Sequence, residues 1–263
     1  MRLTLPSFTD KRDLIKYLVS NKSELIDLGK SQIKFADAFG GLVAESGLVS
    51  KGLSNTQDTD ETIYRTIVGN TYNWMDSHDD VHLNNVFGVS IKDRNGRIWH
   101  RHDHVNQLTA KVGKFSQVYE QVVNWTDVGV NKAGQTMALL GDSAIKRNYN
   151  QLIFDSYKDN EIDQHSVGMQ YVKIDLAVND PESKEEFATW NKYIHLLGNQ
   201  EKAVDKGYFW AVKEAKLIEI SCVTEGSNEL TGMYNPSKDS VINRPAIEQS
   251  KTINSFYSHF LNK

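Results

Sequence analysis

The chain has 263 residues, 39% hydrophobic and 24% charged, which leaves room for one large domain or two small ones around a buried core. A formal charge of −4 gives no basic face for nucleic acid, and no apolar run approaches the roughly 20 residues a membrane span needs. A single cysteine, Cys222, excludes an internal disulfide and fits a reducing compartment. The N-terminus turns charged too soon for a secretory signal, so the composition reads as a soluble, intracellular protein.

Helical spacing of Leu14, Ile15, Leu18, Leu25 and Leu28 predicts a helix over residues 9–30, capped by Thr9 or Asp10. Residues 40–60 carry Gly, Ser and Asp without a period and read as a linker. Three regions follow: an N-terminal helical extension and linker (1–58), a main domain (59–232) and a polar C-terminal tail (233–263). From residue 62, short β-branched and aromatic runs such as "TIYRTIVGNT" and "TMALLGDS" predict strands. Residues 142–158 read as a helix with Asp142 or Ser143 as its cap. "HSVGMQYVKIDLAV" reads as a strand. Ser183 and Glu186 have capping-box spacing before a helix over 183–198, striped by Phe187, Trp190, Ile194 and Leu197. "GYFWAVKEAKLIEISCVTEG" supplies one or two further strands. The sum is α+β: a mostly antiparallel sheet or closed β-barrel surrounded by helices.

Three clusters carry chemistry. In "WHRHDH", His100, His102 and His104 alternate, so a regular strand would set all three on one face. There they could ligate zinc, with Asp76, His78, Asp79, Asp80 and His82 as further donors, or supply a catalytic base. In "DQHSVGMQYV", Ser166 is a candidate nucleophile. His165 points to the opposite face, so a base for Ser166 comes from elsewhere, and Gly168 leaves room for substrate backbone. In "KLIEISCVTEG", Glu219 sits in an otherwise apolar strand and needs a partner, either a histidine N–H or a basic side chain. Ser221, on the same face, is a competing nucleophile.

Taken in order, "HDH" ending at His104, "HSVGMQYV" with Ser166 and "LIEISCVTEGSN" with Glu219 resemble the prohead serine proteases of tailed bacteriophages. "DSHDDVHLNNVF" resembles that family's Asp-x-x-Gly-Asp turn leading to a helix, with Asp79 where glycine is usual. The resemblance covers roughly residues 60–232 and implies a herpesvirus protease-like fold. It further implies a serine endopeptidase with Ser166 as nucleophile, His104 as base and Glu219 as the third member. His104 is preferred because "AKVG" follows it, with His102 and His100 as alternatives. The turn Glu225–Asn228 is the candidate oxyanion hole. No metal or organic cofactor is implied. The implied substrates are the scaffold and major capsid proteins, and the implied setting is the host cytoplasm, inside the assembling prohead. No nucleic-acid or membrane partner is implied; a homo-oligomer is compatible with the family. Two rival readings are a metal-dependent hydrolase using the His/Asp clusters and a non-enzymatic capsid or scaffold component on the same fold.

Overall fold

A computed structural model describes residues 6–35, 57–94 and 96–234. Most of the expected linker, and the tail beyond residue 234, lie outside the described residues.

Two helices, α1 (Lys11–Ser20) and α2 (Lys22–Ser31), stand where one was expected. Asn21 makes the break: its backbone N–H and its side-chain amide both donate to the Tyr17 carbonyl, at 3.0 and 2.8 Å. Asp10 is the cap, accepting from the Arg12 N–H. Leu18 and Leu25 are buried in the largest core cluster with Tyr171 and Ile174, so this segment packs against the sheet of the main domain.

The remaining elements are β1 (Lys34–Phe35), β2 (Thr62–Thr71), β3 (Asp80–His82), α3 (Gly88–Arg94), β4 (Trp99–His102), β5 (Lys111–Asn124), β6 (Gln135–Lys146), α4 (Gln151–Lys158), β7 (His165–Val178), α5 (Lys184–Tyr193), α6 (Gln200–Lys206) and β8 (Tyr208–Cys222). They form an α+β fold around one sheet of order β1-β7-β8-β4-β5-β6-β2, with β3 also on β8. β3 and β4 run parallel to β8, and the other pairings are antiparallel. β8 is a single strand of 15 residues. Its residues 210–212 pair with β3 and its last four residues with β4.

The sheet is mixed and open, which corrects the closed-barrel alternative. Among the described residues no ladder joins β2 to β7. Residues 227–234 run between these strands and bond to both sides. Towards β2, the Val68 N–H donates to Gly232 and the Tyr234 N–H to Thr66; towards β7, the Thr231 carbonyl accepts from His165 Nδ1 at 2.7 Å. Irregular chain thus satisfies the polar backbone that a closing ladder would have paired. Met233 and Tyr234 belong to this folded segment, so it runs slightly past the expected boundary at 232.

The helix expected over 142–158 is a strand through Lys146, followed by α4, which Asn150 caps by accepting from the Ile153 N–H. Asp142 and Ser143 look like caps in sequence but are buried ladder residues. Asp142 accepts from Thr66 Oγ1 (2.6 Å) and Gln117 Nε2 (2.8 Å), and Ser143 Oγ bonds His100 Nδ1 (2.8 Å). The helix expected over 183–198 ends at Tyr193 as α5 and gives way to a 3-10 turn (Ile194–Leu196), but Phe187, Trp190, Ile194 and Leu197 still fall in one cluster. Its capping box does not form: Ser183 makes no side-chain cap bond, and Glu186 instead holds the Lys22 ammonium at 2.5 Å.

Three core histidines make the fold acid-sensitive. Burial pushes the pKa values of His82 and His165 down to about 4 and that of His100 well below its usual value of 6.5. The unfolded chain therefore takes up protons that the native state refuses. Stability is full above about 6.5 and is lost as pH falls from there towards about 4. Neither ring nitrogen of His82 has a hydrogen-bond partner among the described residues. His82→Leu should therefore flatten the fall in melting temperature between pH 6.5 and 4, measured by thermal denaturation; an unchanged slope would remove His82 from this account.

Candidate active site

The candidate residues meet where β4, β8 and β7 lie side by side. The register sets Trp99 beside Glu219 and Arg101 beside Ser221 across β4–β8. Across β7–β8 it sets Gly168 opposite Glu219 and Ser166 opposite Ser221. Between these pairs Val167 opposes Ile220, and both belong to the largest core cluster. Alternation therefore turns Ser166, Gly168, Glu219 and Ser221 to the sheet's other face.

On that face Glu219 is wholly buried, and both carboxylate oxygens are engaged. Oε1 accepts from His104 Nδ1 at 2.6 Å, and Oε2 accepts the Ser221 hydroxyl. Ser221 Oγ also accepts the His104 backbone N–H at 3.2 Å, so one hydroxyl clamps both members of the pair. A carboxylate accepts only; Nδ1 therefore carries the imidazole proton and Nε2 is the basic nitrogen. Of the two partners considered for Glu219, histidine is the one present.

Two consecutive left-handed residues bring His104 to this position. β4 ends at His102, and Asp103 and His104 follow with φ of 50° and 56°. Side chains other than glycine take that region at a cost, and such outliers gather where the surroundings hold a functional geometry. The same turn breaks the alternation expected of the three histidines, so they do not share a face and do not form a three-histidine metal site. His102 Nδ1 bonds Asp103 Oδ2 at 2.9 Å near the surface.

His100 lies in the core, in a chain whose protons can be assigned. His165 Nδ1 donates to the Thr231 carbonyl, so its Nε2 accepts from the Tyr157 hydroxyl at 2.8 Å. The Tyr157 oxygen in turn accepts from His100 Nε2 at 3.0 Å, and His100 Nδ1 accepts from Ser143. Both nitrogens of His100 are committed there. His165 packs on the face opposite Ser166, as its position next to Ser166 in the strand predicts.

Gly168 has a different use from the one expected. A Cβ there would lie 2.4 Å from Glu219 Oε1, so the glycine makes room for the carboxylate rather than for substrate backbone. In the turn expected to hold an oxyanion, Ser227 and Asn228 line a small cavity of about 10 Å³, room for about one water, together with Ser166, His82 and Asn70.

The acidic turn is a separate construction. Asp76 Oδ1 accepts the backbone N–H groups of His78 (2.8 Å) and Asp80 (3.0 Å). Asp79, standing where glycine is usual in the resembling family, adopts φ of 63° and accepts the Tyr208 hydroxyl at 2.7 Å. Ligand atoms of Asp76, His78 and Asp80 lie within 4.8 Å of one another, close enough for a cation. Asp80 Oδ2, however, already holds the Lys34 ammonium at 3.1 Å and the Tyr171 hydroxyl. Burial, then the neighbouring Asp80, raises the Asp76 carboxyl well above its usual range.

Sequence reasoning missed Ser221 as the clamp on Glu219 and His104. The Glu-x-Ser spacing on one strand face could have signalled it. No protein-family model, curated protein or solved structure matches the chain.

Gly168→Ala should drive the Glu219 carboxylate off its position, at a cost of about 1–3 kcal/mol of stability for overpacking. Ser221→Ala should cost a similar ~1–3 kcal/mol by stripping buried polar groups of a partner. Denaturant titration measures both, and a Gly168→Ala protein as stable as the wild type would show that the carboxylate can move freely.

Proposed function

We propose that the chain is a serine endopeptidase in which Ser166 is the nucleophile, His104 the general base and Glu219 the residue that orients it. The observation that carries this reading is the buried His104–Glu219 bond at 2.6 Å, on the sheet face to which the strand of Ser166 turns its hydroxyl. Glu219 fixes the tautomer that leaves Nε2 to take a proton, and it stabilises the imidazolium that forms. Ser166 attacks the scissile carbonyl as His104 removes its proton. The bond to the leaving amine then breaks as His104 returns that proton, and water, activated by the same imidazole, hydrolyses the acyl-enzyme. Ser221 serves as a clamp rather than a nucleophile, because its hydroxyl proton is committed to Glu219.

The order His104, Ser166, Glu219, with the motifs around each, resembles the prohead proteases. The finer reading is therefore a herpesvirus protease-like enzyme that acts on scaffold and major capsid proteins, and on its own termini, within an assembling shell. The engagement of Asp80 by Lys34 weighs against the metal-dependent alternative.

Co-expression with candidate capsid and scaffold proteins, read by intact mass, tests the reading. Cleavage by the wild type should disappear with Ser166→Ala and His104→Ala, with losses of at least about 10³-fold. Glu219→Gln should lose roughly 10²–10⁴-fold, because the amide can hold the wrong tautomer. Cleavage should persist in a chelator. Activity that survives Ser166→Ala overturns the assignment, and chelator-sensitive activity would transfer it to the Asp76–His78–Asp80 turn.

A further inference from the structure

The sheet face that carries Glu219 and Ser221 continues across β4 onto β5, and there its character changes. Register places Lys114 beside Trp99 and Lys111 beside Arg101. Two cross-strand rows result: Lys114–Trp99–Glu219–Gly168 and Lys111–Arg101–Ser221–Ser166. Each row begins with cations and ends at the candidate site. Neighbouring strands are about 4.8 Å apart, so Arg101 is rooted one strand from Ser221 and roughly 10 Å from Ser166.

Arg101 and Lys111 are half-buried and Lys114 is exposed, and among the described residues none of the three has a carboxylate within ion-pair distance. The carboxylates on the adjoining segments are spoken for, Asp103 by His102 and Glu219 by His104 and Ser221. Trp99 lies half-buried among the cations, with the Lys111 ammonium 4.3 Å from its ring centroid. A chain with a net charge of −4 thus gathers three uncompensated cations and an aromatic surface beside its candidate nucleophile.

We propose that Arg101, Lys111 and Lys114, with Trp99 between them, receive an acidic segment of the peptide substrate two to four residues from the scissile bond. The inference rests on the reading of Ser166 as nucleophile and extends it to substrate choice. An extended peptide advances about 3.3 Å per residue, so a bond held at Ser166 sets side chains two to four residues away over β4 and β5. Carboxylates there meet the arginine fork and two ammonium groups at a partly desolvated surface, where charge complementarity selects among sequences. The occupant is a peptide; the surface has too few cations for a nucleic-acid backbone on an otherwise acidic chain.

Two measurements on the full chain test the inference separately from the chemistry. The first uses fluorescence anisotropy with the Ser166→Ala protein and a labelled ten-residue peptide of alternating Glu and Ala, against the same peptide with Gln for Glu. The acidic peptide should bind at least about tenfold tighter at low salt and weaken as salt rises. Arg101→Glu combined with Lys114→Glu should abolish the difference, while Lys192→Glu, on α5, should leave it intact. Equal binding of the two peptides, or equal loss with Lys192→Glu, overturns the proposal whether or not the protein cleaves anything. The second digests a peptide library with the wild type and reads the cut sites by mass spectrometry. Acidic residues should be enriched two to four positions from the bond on one side, and the paired charge reversal should remove the enrichment. Ser166-dependent cleavage without it leaves the protease reading standing and sinks this one. Absence of all cleavage, with acid-selective binding retained, removes the protease reading and leaves an acidic-peptide surface.

Discussion

A carboxylate buried near the end of a long strand governs the architecture around the site. Left without partners, the Glu219 side chain would cost several kcal/mol of desolvation, so each oxygen must meet a donor. Ser221 supplies one from two residues along the same strand, and His104 supplies the other from a turn that breaks the pattern of β4. Gly168 is required because anything larger would occupy the carboxylate's place. The left-handed backbone at His104, the glycine and the serine are thus consequences of one electrostatic demand.

The two faces of the same strands handle polarity in opposite ways. On one, the Ser143–His100–Tyr157–His165–Thr231 chain engages both nitrogens of each imidazole, and burial keeps the rings neutral. Such a network gives a unique arrangement to the core and ties residues 227–234 to β7. On the other, Glu219 is held by His104 Nδ1 and the Ser221 hydroxyl, and the tautomer this fixes makes Nε2 the basic nitrogen. The first network holds the frame still; under the proposed function, the second moves a proton. His100, His102 and His104 fall into three different environments because His100 lies in the core, His102 stands at the end of β4 near the surface, and a left-handed turn re-aims His104.

Much of this was legible in the sequence, for identifiable reasons. Alternation alone separates His165 from Ser166, and a lone acid among Ile218, Ile220 and Cys222 announces a partner. Where reading failed, a distant residue decided the matter. Asp142 and Ser143 look like helix caps because local rules favour them there, yet Thr66, Gln117 and His100 satisfy them within a ladder. Ser183 lost its capping box to Lys22, far away in sequence. The histidine alternation in "WHRHDH" assumed a strand that ends at His102, and no propensity marks the left-handed turn beyond it.

The pairing of β4 with β8 has a further consequence for timing. His104 and Glu219 are 115 residues apart, and the strands that bring them together run parallel. Contacts of such separation pay a large loop-closure entropy before any reward, so they belong to the late stages of folding. During synthesis, a chain that has already emerged with Ser166 and His104 still lacks the strand that fixes the imidazole. Under the proposed function, the nascent enzyme is inert by topology and gains its chemistry only when its central strand docks.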